Sequence, residues 1–447
     1  MDESADRLPR RRRALLSAAL GAGIAVACAP VSAAPAAAAA VITAQHWLTP
    51  RTVQLTVATD AFAAPVPVEV TFPAGYEPGG ARRWPVTYYL AGTAHDEATF
   101  RAIYDGETIT ADYPSLVVSP RGDAGFWSDW LDGSAKYETF VIDQLIPLID
   151  ASFATHADRA HRAIMGESMG GAGTLLLAAR HPDEFAAAAS LSGAADTNMP
   201  DTWNVVSIAP ALQGAAPDAI YGPRASQEIR WRGHNPADLA SNLAGVDLQL
   251  YTGNGVYDPA HGETQVEASV GCALESAAIH GPSVSTHERM LELGIAHEWV
   301  ELPWGCHGVA LFQYEMRAAI TRFEELFADP AAVPESFDYR SIEPAFEVWG
   351  WDVRTDPARA AQFLDLHEVS ARGLRLTGSG TTTVTTPPLF AKRAAVTVTV
   401  DGIRSLVTPD AEGRVTVSVD LGPADRQQQY TPGAVASART AEVSFEG

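Results

Sequence analysis

Residues 160–171 read Ala160-His161-Arg162-Ala163-Ile164-Met165-Gly166-Glu167-Ser168-Met169-Gly170-Gly171. A short apolar run passes straight into Gly-x-Ser-x-Gly. Small and apolar residues then continue to Arg180, and His181-Pro182 stops them. The first run has the density of a buried strand. The second has the composition of a helix that opens on paired glycines and ends before a proline. Glycines on both sides of Ser168 permit the sharp strand-to-helix turn that lifts a hydroxyl above the end of a sheet. A serine hydroxyl is a weak nucleophile; it needs a base within hydrogen-bond reach, an acid behind the base, and donors for an oxyanion. Without those partners the same residues are a glycine-rich structural turn.

Working outward, dense apolar runs at 85–90, 115–119, 185–191, 247–251 and 297–302 read as strands, and 137–153, 171–180 and 309–327 carry helical spacing. This alternation predicts an α/β protein, a mostly parallel sheet with helices on both faces, of the α/β-hydrolase fold. In such sheets the chemistry gathers at the carboxyl ends of the strands. Upstream, 53–57 and 66–70 alternate as an antiparallel hairpin would. After Asp329-Pro330 the composition turns to Thr and Val, with alternation at 374–376, 381–385, 395–400 and 414–419. That predicts a C-terminal all-β, sandwich-like domain over 330–447, with 357–364 as its longest helical stretch and a loosely ordered polar tail over 422–439.

In this fold the triad follows the chain order nucleophile, acid, base. The base belongs on the loop after the last strand, where His307 stands in Pro303-Trp304-Gly305-Cys306-His307-Gly308. For the acid, Asp258, Glu263, Glu267 and Glu275 all follow the 247–251 strand, and position alone favours the nearest, Asp258.

The chain has 447 residues, too many for one ordinary core, so two domains are expected. Its net charge of −23 repels a polyanion and excludes nucleic acid as a partner. Residues 1–40 read as an export signal of the twin-arginine or general secretory type. They comprise a basic Arg10–Arg13, a small apolar stretch over 14–29, and an Ala/Pro/Ser-rich stretch with cleavage expected near Ala34 or Ala40. Val26-Ala27-Cys28 raises a lipoprotein reading, but the residues before Cys28 make a poor lipobox. No other segment is long and apolar enough to be transmembrane. The expected location is therefore secreted or in the cell envelope. Cys272 and Cys306 remain after export, and two cysteines in an exported chain suggest one disulfide. No metal-ligand cluster is evident, and the chemistry calls for neither metal nor cofactor.

From about residue 85 to 327 the chain resembles the bacterial mycolyltransferases (the antigen 85 group) and their esterase relatives. The shared landmarks are Tyr88-Tyr89-Leu90-Ala91-Gly92, Phe126-Trp127-Ser128-Asp129-Trp130, Tyr137-Glu138-Thr139-Phe140, the elbow, His234-Asn235-Pro236, Tyr251-Thr252-Gly253-Asn254-Gly255, Ala273-Leu274-Glu275 and Gly305-Cys306-His307. The resemblance implies Glu275 as the triad acid, ahead of Asp258 and Glu267, and the amides of Met169 and Thr93 as oxyanion donors. It also gives the cysteines a purpose, since a Cys272–Cys306 bridge would tie the acid's segment to the base's loop. Asp129 and Trp130 become candidate substrate contacts, with a turn or capping role for Asp129 as the alternative. The implied substrate is an acyl ester, lipid or glycolipid, attacked by Ser168 through an acyl-enzyme.

Two departures bear on substrate. Where relatives carry an Asp and an Arg that help hold trehalose, this chain has Ala91 and Ala94; where they carry Trp after the histidine, it has Gly308-Val309-Ala310-Leu311-Phe312. The β-rich tail, marked by Val348-Trp349-Gly350-Trp351 and Leu376-Thr377-Gly378-Ser379-Gly380, resembles tails on actinobacterial relatives. Cell-envelope glycan is one partner it would suit through Trp349 and Trp351, although buried packing suits them better. The competing class is a non-catalytic envelope-binding protein on a hydrolase scaffold.

Overall fold

The computed structural model describes residues 40–433 and 437–446. The predicted export signal lies, except for Ala40, outside the described residues. Nine strands form one sheet: β1 Val41–Trp47, β2 Thr52–Ala58, β3 Val66–Thr71, β4 Val86–Leu90, β5 Leu116–Pro120, β6 Arg162–Glu167, β7 Ala187–Leu191, β8 Asp247–Thr252 and β9 Glu298–Glu301. Their spatial order is β1-β2-β3-β5-β4-β6-β7-β8-β9. The β2/β3 hairpin is antiparallel, and β3 joins β5 antiparallel. From β5 through β9 every neighbouring pair is parallel.

Parallel strands are covered on both faces, so their side chains divide between two cores. Tyr88, Leu90, Val118 and Ile164 point into one, and Tyr89, Val117, Ala163 and Met165 into the other. The second core is closed by the helix α3, Val309–Ala328, through Phe312, Met316, Ala319 and Phe323. The first is closed in part by α1, Met169–Arg180, through Leu175, Leu176 and Leu177. The 137–153 helix forms as a continuous run whose middle, Phe140–Leu145, is a π-helix.

Ten further strands follow α3 and make two antiparallel sheets. One holds Phe337–Ser341, Leu364–Ser370, Gly373–Gly378, Arg439–Glu446, Val396–Val400 and Ile403–Val407, in that order. The other holds Ala345–Val348, Trp351–Arg354, Thr381–Thr385 and Thr416–Asp420. Both feed a shared core that includes Val353, Leu366, Leu376, Val398, Val419 and Val443.

Two expectations are corrected here. Residues 357–364 form no helix; the backbone turns there and Leu364 opens a strand. The described part of the 422–439 tail is pinned rather than loose. The Asp425 amide donates to Ser379 Oγ at 3.1 Å, and the Gln429 amide donates to the Ala361 carbonyl at 3.1 Å. The strand that ends the chain, Arg439–Glu446, lies inside its sheet and buries Ala441, Val443 and Phe445 on one face. Of the two tryptophans suited to sugars, Trp351 is buried, and Trp349 is half-buried with the Arg159 guanidinium 4.9 Å from its ring centroid.

The β-rich part meets the sheet-and-helix part through specific bonds. Tyr339 OH donates to the Arg180 carbonyl at 2.7 Å. Asn242 and Arg340 exchange two bonds, at 2.9 and 3.0 Å. Arg180 lies between Glu138 at 2.7 Å and Glu343 at 3.0 Å.

Candidate active site

Ser168 sits between β6 and α1 with φ 58° and ψ −119°, a conformation that a side-chain-bearing residue rarely adopts. The packing around it explains how the turn is held. A Cβ on Gly170 would fall 1.8 Å from the Leu90 carbonyl oxygen, and one on Gly166 would fall 2.4 Å from it. Only glycine lets α1 start this close to the end of β4. The Ser168 amide donates to the Leu191 carbonyl at the end of β7. The nucleophile candidate therefore stands at the carboxyl ends of the central parallel strands.

His307 lies in the loop between β9 and α3, at the same end of the sheet. Its Nδ1 donates to Glu275 Oε2 at 2.7 Å; the carboxylate carries no hydrogen, so the direction follows. Its ring meets Phe312 edge-on, with centroids 4.9 Å apart. Glu275 is fully buried at the start of a π-helical turn, Glu275–Ile279, that continues the helix α2, Gln265–Leu274. Its Oε1 accepts from Ser192 Oγ at 2.8 Å, Thr252 Oγ1 at 3.0 Å and the Gly253 amide at 2.9 Å. Ser192 directly follows Leu191, whose carbonyl receives the Ser168 amide. Among the described residues no hydrogen bond joins Ser168 Oγ to His307; catalytic bonds are often long before substrate binds.

The alternative acids have other work. Asp258 caps the turn Pro259–His261 by accepting from the Ala260 amide at 2.9 Å. Glu263 accepts from the amides of Asp258 and Cys306. Glu267 closes a capping box with Thr264 at the start of α2. None of the three contacts the His307 ring through a hydrogen bond. A Cys272–Cys306 disulfide is present and joins α2 to the His307 loop.

The Thr93 and Met169 amides, the expected oxyanion donors, bond to no group among the described residues. The loop that carries Thr93 is held from below by Glu167, which sequence reasoning passed over as the variable residue of the elbow. This fully buried carboxylate accepts from the Gly92 amide at 2.7 Å and from Tyr89 OH at 2.5 Å, and meets His95 Nδ1 at 3.0 Å. The hydrogen bond to Glu167 raises the His95 pKa above its ordinary value, against the opposing effect of burial. Burial and the Glu167 charge push the Tyr89 phenol far up, so it serves as a donor only.

Asp129 and Trp130 lie elsewhere. Asp129 accepts from the amide and hydroxyl of Thr139, at 3.1 and 2.5 Å, and so caps the helical run from Tyr137. Both residues line a cleft of about 870 Å³ shared with Arg180, Glu138 and Glu343. Ser168, His307 and Glu275 do not line it. One further grouping escaped the sequence reading: His156, Asp158 and His161 offer ligand atoms within 4.8 Å of one another at the far end of β6. They are largely exposed, and Asp158 already accepts from the His161 amide at 3.0 Å.

A strained serine at the carboxyl end of a parallel sheet, with a histidine on one neighbouring loop bonded to a carboxylate on a helix, defines the α/β serine-hydrolase class of site. The Esterase family model matches residues 59–323, more than half of the chain, and the chain belongs to that family. It is 32% identical over 248 residues to Esterase Rv1288 of Mycobacterium tuberculosis, which covers 53% of this chain and 52% of that relative. It is 30% identical over 152 residues to the diacylglycerol acyltransferase/mycolyltransferase Ag85B of Mycobacterium avium, covering 32% of this chain and 45% of the relative. The chain thus spans about half the length of the relatives it matches. The crystal structure of Mycobacterium tuberculosis MPT51 superposes with a TM-score of 0.51 at 21% identity, covering 61% of this chain and 97% of that one, a likeness of fold.

Proposed function

We propose that this protein is a secreted or envelope-located carboxylesterase that works through a Ser168–His307–Glu275 triad and an acyl-enzyme. The single observation that carries the reading is the 2.7 Å bond from His307 Nδ1 to the buried Glu275, made at the sheet end where Ser168 is held in its strained turn. Ser168 Oγ attacks an ester carbonyl while His307 Nε2 takes its proton. Glu275 fixes the ring and balances the imidazolium charge, and the Met169 and Thr93 amides receive the oxyanion. His307 then returns the proton to the leaving alcohol, and water attacks the acyl-enzyme in a second cycle of the same steps. Transfer to a sugar hydroxyl is the mycolyltransferase-like variant of this chemistry. Ala91 and Ala94 offer no polar side chain to orient such an acceptor, which favours water. The disulfide supports an oxidising compartment. We assign residues 330–447 to an accessory β-rich domain.

Hydrolysis of short-chain nitrophenyl esters by wild type and Ser168→Ala tests the reading. The variant is expected to fall to background. Equal rates in both proteins would leave the non-catalytic, scaffold-only alternative standing. A product profile with acyl glycolipid and trehalose present separates hydrolysis from transfer.

A further inference from the structure

Behind Glu275 lies a second buried carboxyl that the triad does not use. Glu315 projects from α3 and is fully buried. Its Oε1 is 2.9 Å from Ser192 Oγ, and its Oε2 has no hydrogen-bond partner among the described residues. The same Ser192 Oγ is 2.8 Å from Glu275 Oε1. A serine hydroxyl carries one hydrogen, so it cannot donate to both carboxyls. Both contacts are fully satisfied when one of them runs the other way, with a carboxyl O–H donating to Ser192.

The surroundings decide which carboxyl holds the proton. Glu275 accepts from the Gly253 amide and from His307, as an ionised carboxylate requires, while Thr252 Oγ1 divides its one hydrogen between Glu275 and the Gly253 carbonyl. Glu315 has only Ser192, and ionisation would leave Oε2 charged and dry. The titratable groups facing it are Glu275 across Ser192, with His307 beyond, and Tyr251 from β8. None of them offers Glu315 a positive charge in direct contact. Ser192 itself has φ 44°, a left-handed conformation that serine seldom takes, so its hydroxyl is held between the two acids at some conformational cost.

We propose that Glu315 is a positioning residue, a neutral carboxylic acid that donates to Ser192 and thereby commits the one Ser192 hydrogen to Glu275. The proposal rests on the triad reading above. The chain of bonds then has one direction: Glu315 O–H to Ser192 Oγ, Ser192 O–H to Glu275 Oε1, and His307 N–H to Glu275 Oε2. Burial and the nearby Glu275 both raise the Glu315 pKa, in agreement with this arrangement. Glu275 is left as the negative charge bonded to the His307 ring.

The test is the pH profile of kcat/KM on a nitrophenyl ester for wild type, Glu315→Leu, Glu315→Gln, Ser192→Ala and the Ser192→Ala/Glu315→Leu pair. Ser168→Ala serves as the control for the triad reading itself. Glu315→Leu removes the donor at similar volume and is expected to lower kcat/KM about tenfold, the worth of one hydrogen bond to a charged system. Glu315→Gln keeps an N–H donor and is expected to restore activity to within about threefold, with the acid limb unmoved. Because Glu315 acts through Ser192, the double variant should fall no lower than Ser192→Ala alone. A downward shift of the acid limb by about half a pH unit or more in Glu315→Gln would mean that a negative charge had been lost, and would overturn the proposal. So would a further tenfold loss in the double variant. Should Glu315→Gln fail to fold, the infrared spectrum of wild type at about pH 8 decides: a protonated-carboxyl band is expected, and its absence overturns the proposal. An active Ser168→Ala would instead remove the triad reading and leave the infrared result to stand by itself.

Discussion

His307 and Glu275 are 32 residues apart in the chain and 2.7 Å apart in the fold, and the Cys272–Cys306 bridge spans the same two segments. The bridge closes one helical turn before Glu275 and one residue before His307. The covalent link and the hydrogen bond therefore hold the same helix against the same loop. With Nδ1 committed to Glu275, Nε2 is the nitrogen left free to receive a proton from Ser168 in the proposed triad.

Exchange of Glu275 for glutamine keeps the shape but removes the charge that fixes the His307 tautomer. The expected loss in kcat is about 10³- to 10⁴-fold with little change in KM, by analogy with loss of the acid in other triads. Steady-state kinetics on a nitrophenyl ester checks it. A near-normal Glu275→Gln enzyme would require another acid, and the capping duties of Asp258 and Glu267 leave neither free to take the role.

The disulfide should matter for stability as much as for geometry. With its cysteines 34 positions apart, the chain-entropy model assigns the bridge about 4 kcal/mol. A Cys272→Ser/Cys306→Ser variant is expected to melt well below wild type and to lose activity before it unfolds globally. Circular dichroism melts run beside activity at each temperature would show this. Coincident loss of both signals would mean that the bridge holds the whole fold rather than the His307 loop.

The strands of the central sheet were legible because buried parallel strands are continuous apolar runs, and the place of His307 on the loop after the last strand followed from the order of the elements. Asp129 takes the capping role that the sequence left open beside substrate contact, because a Trp-rich loop looks the same in sequence whether it faces a substrate or caps a helix. Glu167 was overlooked because a variable elbow position carries no sequence signal of its own. Glu315 did leave a signal: it interrupts the apolar face Leu311, Phe312, Met316, Ala319 of α3, where a charged residue has no ordinary reason to be. The strand Arg439–Glu446 was missed because half of its residues face solvent and read as tail.

His95 and Glu167 give the loop that carries Thr93 a pH-dependent hold. The His95 pKa is raised by Glu167, so the stabilisation is fully present below the unfolded value of about 6.5 and is lost as pH rises through the higher folded value. His95→Gln is therefore expected to lower Tm near pH 5 to 6 and to converge on wild type near pH 9. Melting curves at both pH values check the sign. A Tm deficit that grows with pH would show that His95 acts there as a neutral ring.

Arg180 is the ionic link between the helix that follows Ser168 and the β-rich part. It is nearly buried, with Glu138 at 2.7 Å on one side and Glu343 at 3.0 Å on the other. Burial alone would raise the Glu138 pKa, but Arg180 and His181 together hold it well below the ordinary carboxylate range. Arg180→Met leaves Glu138 buried without its cation, and such losses cost about 3–5 kcal/mol. The cost should depend on pH with a definite sign. The Glu138 contribution is present above the unfolded carboxylate value of about 4.3 and is lost as pH falls below it. Denaturant unfolding of wild type and Arg180→Met is thus expected to differ most at neutral pH and to draw together in acid. Because the Arg180 carbonyl still receives Tyr339 OH in the variant, the two parts should remain docked while stability falls. Two separate unfolding transitions in Arg180→Met would show instead that the ion pairs, and not the backbone bonds, hold the parts together.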